Sequence, residues 1–237
     1  MPLYPWFLGA LYRLCGPNLY AAGLAGALLD SATVFLIVRL ARRLSAPPLL
    51  AALAGLWYAL YPLAIAYSAV TMPNTLNAFL LTLFTLLLCR WWHEDATRSR
   101  QALHGLALGA VAGVTALGFA GMLLIFAAFL IFHGVSSLRT SHFKLPASSF
   151  QLQSSALCLL GFLLLIAPVT IHNWRAGHEF VLLTAHGGFN LYMGNHENAT
   201  GYPVQIAGFR GDAGSLLVDA RREAERQTGH PLSSAAC

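Results

Sequence analysis

Long runs of apolar residues, separated by short polar segments, constrain this chain more than any other feature. Apolar residues make up 57% of its 237 residues, and charged residues only 10%. Soluble domains average about 25% charged residues, so a water-soluble globule of this size would lack the polar side chains to cover its surface. The composition therefore excludes an ordinary soluble enzyme, a disordered chain and a disulfide scaffold. It predicts a polytopic membrane protein.

A membrane-spanning helix needs about 20 mostly apolar residues. Runs that meet this need, or approach it, occur at Leu19–Val38, Pro48–Val70, Thr75–Cys89 and Leu152–Ile171. Their only charged residue is Asp30, about 16 Å along the first helix. An acid at this depth is a functional candidate, and a neutral buried acid or a helix–helix hydrogen bond are the alternatives. Pro62 is expected to kink the second helix or to end it early.

The segment Ala102–Phe132 is 31 residues long, and His104 is its only titratable group. It is either one long tilted helix or two short helices that reverse between Thr115 and Ala120, close to Gly118. With two helices, one side of the membrane collects eight basic residues, namely Arg39, Arg42, Arg43, Arg90, Arg98, Arg100, Arg139 and Lys144. The positive-inside rule then makes that side cytoplasmic, so the two-helix arrangement is favoured.

The predicted fold is thus an all-α polytopic membrane protein with about six transmembrane helices. Residues 1–18 form a juxtamembrane amphipathic stretch with a helix, residues 19–172 the transmembrane bundle, and residues 173–237 a small external domain of helix and loop. An amphipathic helix is predicted at Ser215–Gln227. In this topology the chain begins outside without a preceding span and ends without a returning one, so we expect a fragment of a longer protein.

The net charge of +5 does not point to nucleic acid, because the arginines lie in short clusters between apolar runs and form no basic face with interleaved aromatic residues. The cysteines show no metal-binding spacing. Acidic and histidine side chains in the external segment leave a divalent metal as a weak alternative: Glu179, His186, His196 and Glu197.

The segment 173–202 carries most of the candidate site residues. Its glycines allow tight turns and close approach to a ligand, and its amides could bind sugar hydroxyls; a compact loop that caps the helices is the alternative. The candidates here are Asn173, Gly187, Gly188, Asn190, Tyr192, Gly194 and Asn195. Arg13 and Arg175 are the basic residues near the outer membrane edge. Each could hold a lipid phosphate or make ordinary headgroup contacts.

Three stretches of the chain resemble a known family: Pro2–Leu44, Tyr58–Leu88 with its Tyr61-Pro62 pair, and Pro168–Tyr202 with its GGFNLYMGN run. The chain resembles the bacterial branch of the C-fold integral-membrane glycosyltransferases, the dolichyl-phosphate-mannose protein mannosyltransferase-like group that includes the lipid A aminoarabinose transferases. Only the third stretch is specific, because apolar helices match one another easily.

The resemblance implies a transferase that uses a polyprenyl-phosphate sugar in a bacterial inner membrane, with membrane lipids as its other partners and its C-terminal domain in the periplasm. In the family, a carboxylate of the first external loop assists the acceptor and basic groups hold the lipid phosphate. Here Met1–Leu29 contains no Asp or Glu, the Glu after the Tyr-Pro helix is replaced around Pro73-Asn74, an Arg-Pro is replaced by Gly118-Phe119, and His172 stands where Arg is usual. The catalytic residues are therefore not assigned.

The rival hypothesis is a non-catalytic membrane scaffold or accessory subunit. A transporter is a weaker rival, since ion-coupled carriers usually hold several charges within the membrane.

Overall fold

A computed structural model describes residues 1–93, 97–140, 148–178, 180–184, 194–195 and 216–230. Within these residues it contains helices and no strand, which confirms the predicted all-α class. The helices are α1 (Leu3–Cys15), α2 (Leu19–Arg43), α3 (Pro48–Ala59), α4 (Pro62–Ala69), α5 (Asn74–His93), α6 (Arg98–Gly118), α7 (Met122–Thr140), α8 (Ser148–Gly177) and α9 (Leu216–Thr228). The chain divides into two compact units, Met1–Ala167 and Pro168–Cys237.

Local sequence signals set several helix starts in the first unit. The side chain of Asn18 accepts a hydrogen bond of 2.8 Å from the backbone N–H of Tyr20, which caps the start of α2. Pro48 and Pro62 occupy the first turns of α3 and α4, where the missing N–H costs no helical hydrogen bond.

The α3–α4 pair runs antiparallel to α2. Asp30 of α2 contacts Tyr58, and Gly26, one turn earlier, lies against the backbone of Ser68. Further along α2, Val38 lies against Gly55. Because residue numbers rise along α2 as they fall along α3 and α4, the two run in opposite directions.

The predicted reversal near Gly118 is confirmed, because α6 ends at Gly118 and α7 begins at Met122. Helices α6 and α8 run in parallel, since Gly105 lies against Ser154 and Gly113 against Phe162. Because α6 and α8 are parallel and α7 connects them in the chain, α7 runs antiparallel to both.

Helix α7 meets its neighbours as that arrangement demands. Phe126, near its start, stacks on Phe162 of α8 with ring centroids 4.2 Å apart. His133, near its end, meets Trp91 at the end of α5 at 4.7 Å.

Most described basic residues of the first unit, all except Arg13, gather at one end of the bundle, called the basic end below. Seven arginines lie near helix termini there: Arg39, Arg42, Arg43, Arg90, Arg98, Arg100 and Arg139. Lys144 lies outside the described residues. The other end, called the groove end, holds the α4–α5 turn and the α6–α7 break.

Within the described residues, four helices are long and apolar enough to cross a membrane, and the bent α3–α4 pair is either a broken fifth span or a re-entrant loop. The apolar part of α7, Met122–Val135, is shorter, so the count of six remains a prediction. Large apolar side chains are exposed along these helices, as expected of a lipid-facing surface: Leu24, Leu28, Phe35, Leu53, Trp57 and Leu164.

A buried hydrogen-bond chain joins three helices at the basic end. The indole N–H of Trp91 donates to the Ser154 hydroxyl at 2.7 Å, and that hydroxyl donates to the carbonyl of Gln101 at 3.1 Å. Trp91 is 6% exposed and Ser154 2%. Because no water or lipid can replace these partners, the bonds fix the positions of α5, α6 and α8 relative to one another.

The second unit holds the C-terminal part of α8, a segment that folds back along it, and α9. The side-chain amide of Asn173 donates to the carbonyl of Val181 at 3.1 Å, and the Thr170 hydroxyl donates to the carbonyl of Leu182 at 2.8 Å. Helix α9 begins and ends one residue later than the amphipathic helix predicted at Ser215–Gln227.

Candidate functional site

A groove of about 270 Å³ lies where α3, α4 and the start of α5 meet. Its polar lining side chains are three tyrosines, an asparagine and a threonine, and none carries a formal charge: Tyr58, Tyr61, Tyr67, Asn74 and Thr75. Leu63, Ala64 and Ala78 complete it. An uncharged surface rich in aromatic rings and hydroxyls suits a neutral ligand with many hydroxyl groups.

The bend at Pro62 creates this groove. Helices α3 and α4 meet at 52° across the short break between Ala59 and Pro62. Tyr61 takes an extended conformation, with φ −71° and ψ 115°, because the residue before a proline is disfavoured in helical geometry. The predicted kink is therefore confirmed, and it separates α4 from the line of α3.

A polar pair lies behind the groove. The hydroxyl of Tyr58 donates a hydrogen bond of 2.8 Å to Oδ1 of Asp30 across the α2–α3 contact, and both side chains are half-buried. Thr33, one turn after Asp30, is fully buried, and its hydroxyl donates to the carbonyl of Leu29 at 2.8 Å. Asp30 thus makes the helix–helix hydrogen bond that was one of the alternatives for it, and its partner is a residue of the groove.

Thr75 contributes a buried hydroxyl to the groove wall. The residue is 5% exposed, and among the described residues its Oγ1 has no hydrogen-bond partner. A buried hydroxyl without a partner costs about 1–3 kcal/mol. A groove ligand that displaced the atoms covering the Thr75 hydroxyl and bonded to it would recover this free energy.

At the groove end, a close contact holds α5 against the α6–α7 break. The amide of Asn77 donates to the carbonyl of Gly118 at 3.2 Å. A Cβ at position 118 would lie 2.5 Å from Oδ1 of Asn77, closer than any side chain permits. Gly118, in place of the family's Arg-Pro, therefore allows this approach.

An apolar trough of about 460 Å³ lies next to the groove. Its lining is the outer side of the bend: Leu53, Leu56, Trp57, Leu60, Tyr61 and Pro62. Tyr61 belongs to both the trough and the groove. Both surfaces are mostly apolar, and the threonine and asparagine side chains of the groove, together with two further tyrosines, distinguish it from the trough.

The residues predicted from sequence fall in several places. Arg13 is exposed in the last turn of α1, in the first unit. Asn173 and Arg175 lie in the last turns of α8, in the second unit; Arg175 is exposed, and the Asn173 amide bonds to the backbone. Gly194 and Asn195 are exposed. Outside the described residues lie Gly187, Gly188, Asn190 and Tyr192, and also the weak metal candidates Glu179, His186, His196 and Glu197.

No group of three or more His, Cys, Asp or Glu side chains in the described part of the chain could hold a metal ion. The groove residues were not predicted, although the sequence held a signal for them. Tyr58, Tyr61 and Tyr67 follow one another around Pro62, and Asp30 is an acid within a span that needed a partner.

A comparison with protein families gives one match for this chain. The family model described as dolichyl-phosphate-mannose-protein mannosyltransferase matches residues 1–172, a range that includes the groove, the trough and Arg13. No curated protein and no solved structure matches the chain.

Proposed function

Because the chain belongs to the dolichyl-phosphate-mannose-protein mannosyltransferase family, a family of membrane glycosyltransferases, we propose that it serves sugar transfer from a polyprenyl-phosphate-linked donor. The acceptor is a lipid, a glycan or a protein at the external face of a bacterial inner membrane. The apolar helices of the first unit support the membrane location.

One observation carries the proposal: the uncharged recess of tyrosine, threonine and asparagine lies directly beside an apolar trough, and Tyr61 lines both. A lipid-linked sugar also has two parts, a sugar ring that bears hydroxyl groups and a hydrocarbon chain. We assign the recess to the sugar and the trough to the isoprenoid, because aromatic faces stack on sugar rings and apolar side chains bury hydrocarbon.

The charge distribution supports the orientation. Seven arginines lie near the basic end of the first unit, and basic residues collect on the cytoplasmic side of membrane proteins. The groove end then faces the outside, where the donor sugar would be used. Residues 173–237 are proposed as the periplasmic domain.

No cation is among the described residues that line the groove, so the donor phosphate is held outside it. Arg13, exposed at the end of α1, is the proposed phosphate-binding group of the first unit. Arg175, exposed in the second unit, is a separate candidate for binding phosphate. Departure of the phosphate from the anomeric carbon needs such positive charge. The groove has a binding role in this proposal, because the described residues that line it include no acid to act as a general base.

The lack of an acid among the described lining residues favours a second candidate, a non-catalytic accessory subunit that holds the lipid-linked sugar for another protein. A transfer assay on the purified chain with polyprenyl-phosphate mannose separates the two. Transferred sugar indicates the enzyme, whereas donor binding without transfer indicates the accessory subunit.

The test of the groove uses the chain in lipid nanodiscs and polyprenyl-phosphate mannose with a photoreactive group on its isoprenoid. We expect crosslinks to the trough residues, and about fivefold weaker binding in Thr75→Val, since one hydrogen bond is lost. The matched control is Thr85→Val on the same helix, whose hydroxyl bonds only to the carbonyl of Leu81. Equal binding by the two variants, or crosslinks confined to other helices, would contradict the assignment.

The phosphate site has its own test. Arg175→Ala should weaken donor binding, and Arg175→Lys should restore part of it, because the charge survives while the two-pronged guanidinium contact is lost. Donor affinity unchanged in Arg175→Ala would remove this residue from the proposal.

A further inference from the structure

The hydrogen bond between Tyr58 and Asp30 has a direction, and that direction bears on what the groove can bind. The Tyr58 hydroxyl is the donor and Oδ1 of Asp30 the acceptor, at 2.8 Å. A carboxylate only accepts hydrogen bonds, and a phenol has a single proton to donate. The Tyr58 proton is therefore committed to Asp30.

A phenol oxygen that has given its proton away still carries lone pairs. Tyr58 lines the groove, so toward a ligand it can act only as an acceptor. Thr75 also lines the groove, and its hydroxyl can both donate and accept, because it has no partner among the described residues.

We infer that Asp30 is a specificity-determining positioning residue: it fixes Tyr58 as an acceptor and so makes the groove select a ligand that donates a hydroxyl proton at that point. The ligand class is a sugar with a free hydroxyl facing Tyr58, rather than one that carries an ether or another acceptor-only group there. This inference rests on the proposed function, because it takes the groove to be the sugar site.

Asp30 acts through Tyr58 and needs no contact with the ligand. The same hydrogen bond accounts for the presence of an acid within a membrane span, where an ionisable side chain costs free energy. The burial of Asp30 is offset by the bond to Tyr58. A purely structural bond between α2 and α3 would give the same geometry, so the test must measure selectivity and not stability alone.

The test uses alkyl mannosides in which one ring hydroxyl at a time is replaced by fluorine. Fluorine is close to hydroxyl in size but cannot donate a proton. Binding is measured by competition against the photoreactive polyprenyl-phosphate mannose in nanodiscs. In the unmodified chain we expect one ring position at which fluorine weakens binding about five- to tenfold, the cost of a polar group left without its partner.

Variants at Asp30 and at Tyr58 separate the hydrogen-bond polarity of Tyr58 from an effect on helix packing. In Asp30→Ala the side chain offers no acceptor, so the phenol proton becomes available to the ligand; in Asp30→Asn the amide can either accept from Tyr58 or donate to it, so the proton is no longer fully committed. In Asp30→Ala the penalty for fluorine at that one position should fall below about twofold. Tyr58→Phe should abolish the penalty there and leave the other positions unchanged. Tyr20→Phe, at a residue 90% exposed, is the matched control and should change nothing.

The outcomes are distinguishable. A general loss of affinity for every mannoside in both Asp30 variants, with the fluorine penalty intact, would overturn the inference and leave Asp30 a structural partner. A penalty that persists in Asp30→Ala but vanishes in Tyr58→Phe would show that Tyr58 touches the sugar and that Asp30 does not set its polarity. If no mannoside competes with the photoreactive donor in any variant, the sugar assignment of the groove fails instead.

Discussion

The contact between α6 and α8 is so close that it requires glycine at position 109, and we predict that Gly109→Ala destabilises the bundle. A Cβ at this position would lie 2.7 Å from the carbonyl carbon of Cys158 and 3.0 Å from its Cα. Optimal carbon–carbon contacts are about 3.5–4.0 Å. The two helices would have to separate by roughly 1 Å to accommodate one methyl group.

The magnitude of the destabilisation depends on which atoms the added methyl group would contact. They belong to the backbone of α8 and cannot rotate away, so the overpacking cost lies near the upper end of the usual range, about 3 kcal/mol. Alanine recovers about 1 kcal/mol because it is the better helix former. The net loss in the free energy of unfolding is thus about 2 kcal/mol.

The matched control is Gly23→Ala in α2, where a Cβ would have no atom within 4 Å. This variant should gain up to about 1 kcal/mol, so the two alanine variants should differ by about 3 kcal/mol. Unfolding is followed by circular dichroism during titration of the purified chain with sodium dodecyl sulfate.

A second assay reports the helix separation directly. Cys158 is fully buried, and in a chain whose other cysteines are replaced by serine its reaction with a maleimide should be faster in Gly109→Ala than in Gly23→Ala. Equal unfolding free energies and equal labelling rates in the two variants would refute the close packing of α6 on α8.

Three further predictions concern topology, the buried polar chain and the bend. In a cysteine-free background, Ser45→Cys and Met72→Cys should be labelled from opposite sides of the membrane, with position 45 accessible from the cytoplasm because it lies at the basic end; labelling of both from one side would disprove the antiparallel arrangement. Ser154→Ala should lower the free energy of unfolding by about 1–3 kcal/mol, because the indole N–H of Trp91 is left buried without its acceptor; an unchanged denaturation midpoint would argue against that bond. Pro62→Ala should restore helical continuity, narrow the groove and weaken donor crosslinking more than it weakens folding, and full crosslinking would show that the bend is not needed for binding.

Much of the fold follows from local features of the sequence. The apolar runs give the spans because their backbone groups must be satisfied within a helix in the membrane. Pro62 predicts the kink and Gly118 the break, since each acts on the residues next to it. The distribution of arginines favoured the two-helix arrangement, which the structure confirms.

The candidate site depended on tertiary structure. Asp30 and Tyr58 are 28 positions apart, and Asn77 and Gly118 are 41 apart. Which residues meet depends on the rotation of each helix about its axis. Spanning helices are apolar on nearly every face, so their sequences carry little periodicity to fix that rotation.

The sequence by itself therefore determined that this chain crosses a membrane, where its helices bend or break, and which end is basic. Only the tertiary structure decided that an acid in α2 bonds to a tyrosine of α3, and that the same tyrosine forms a groove with Thr75 of α5. The physical reason is range: proline, glycine and apolar length act along the chain, whereas a binding site is made by side chains that packing brings together from distant positions.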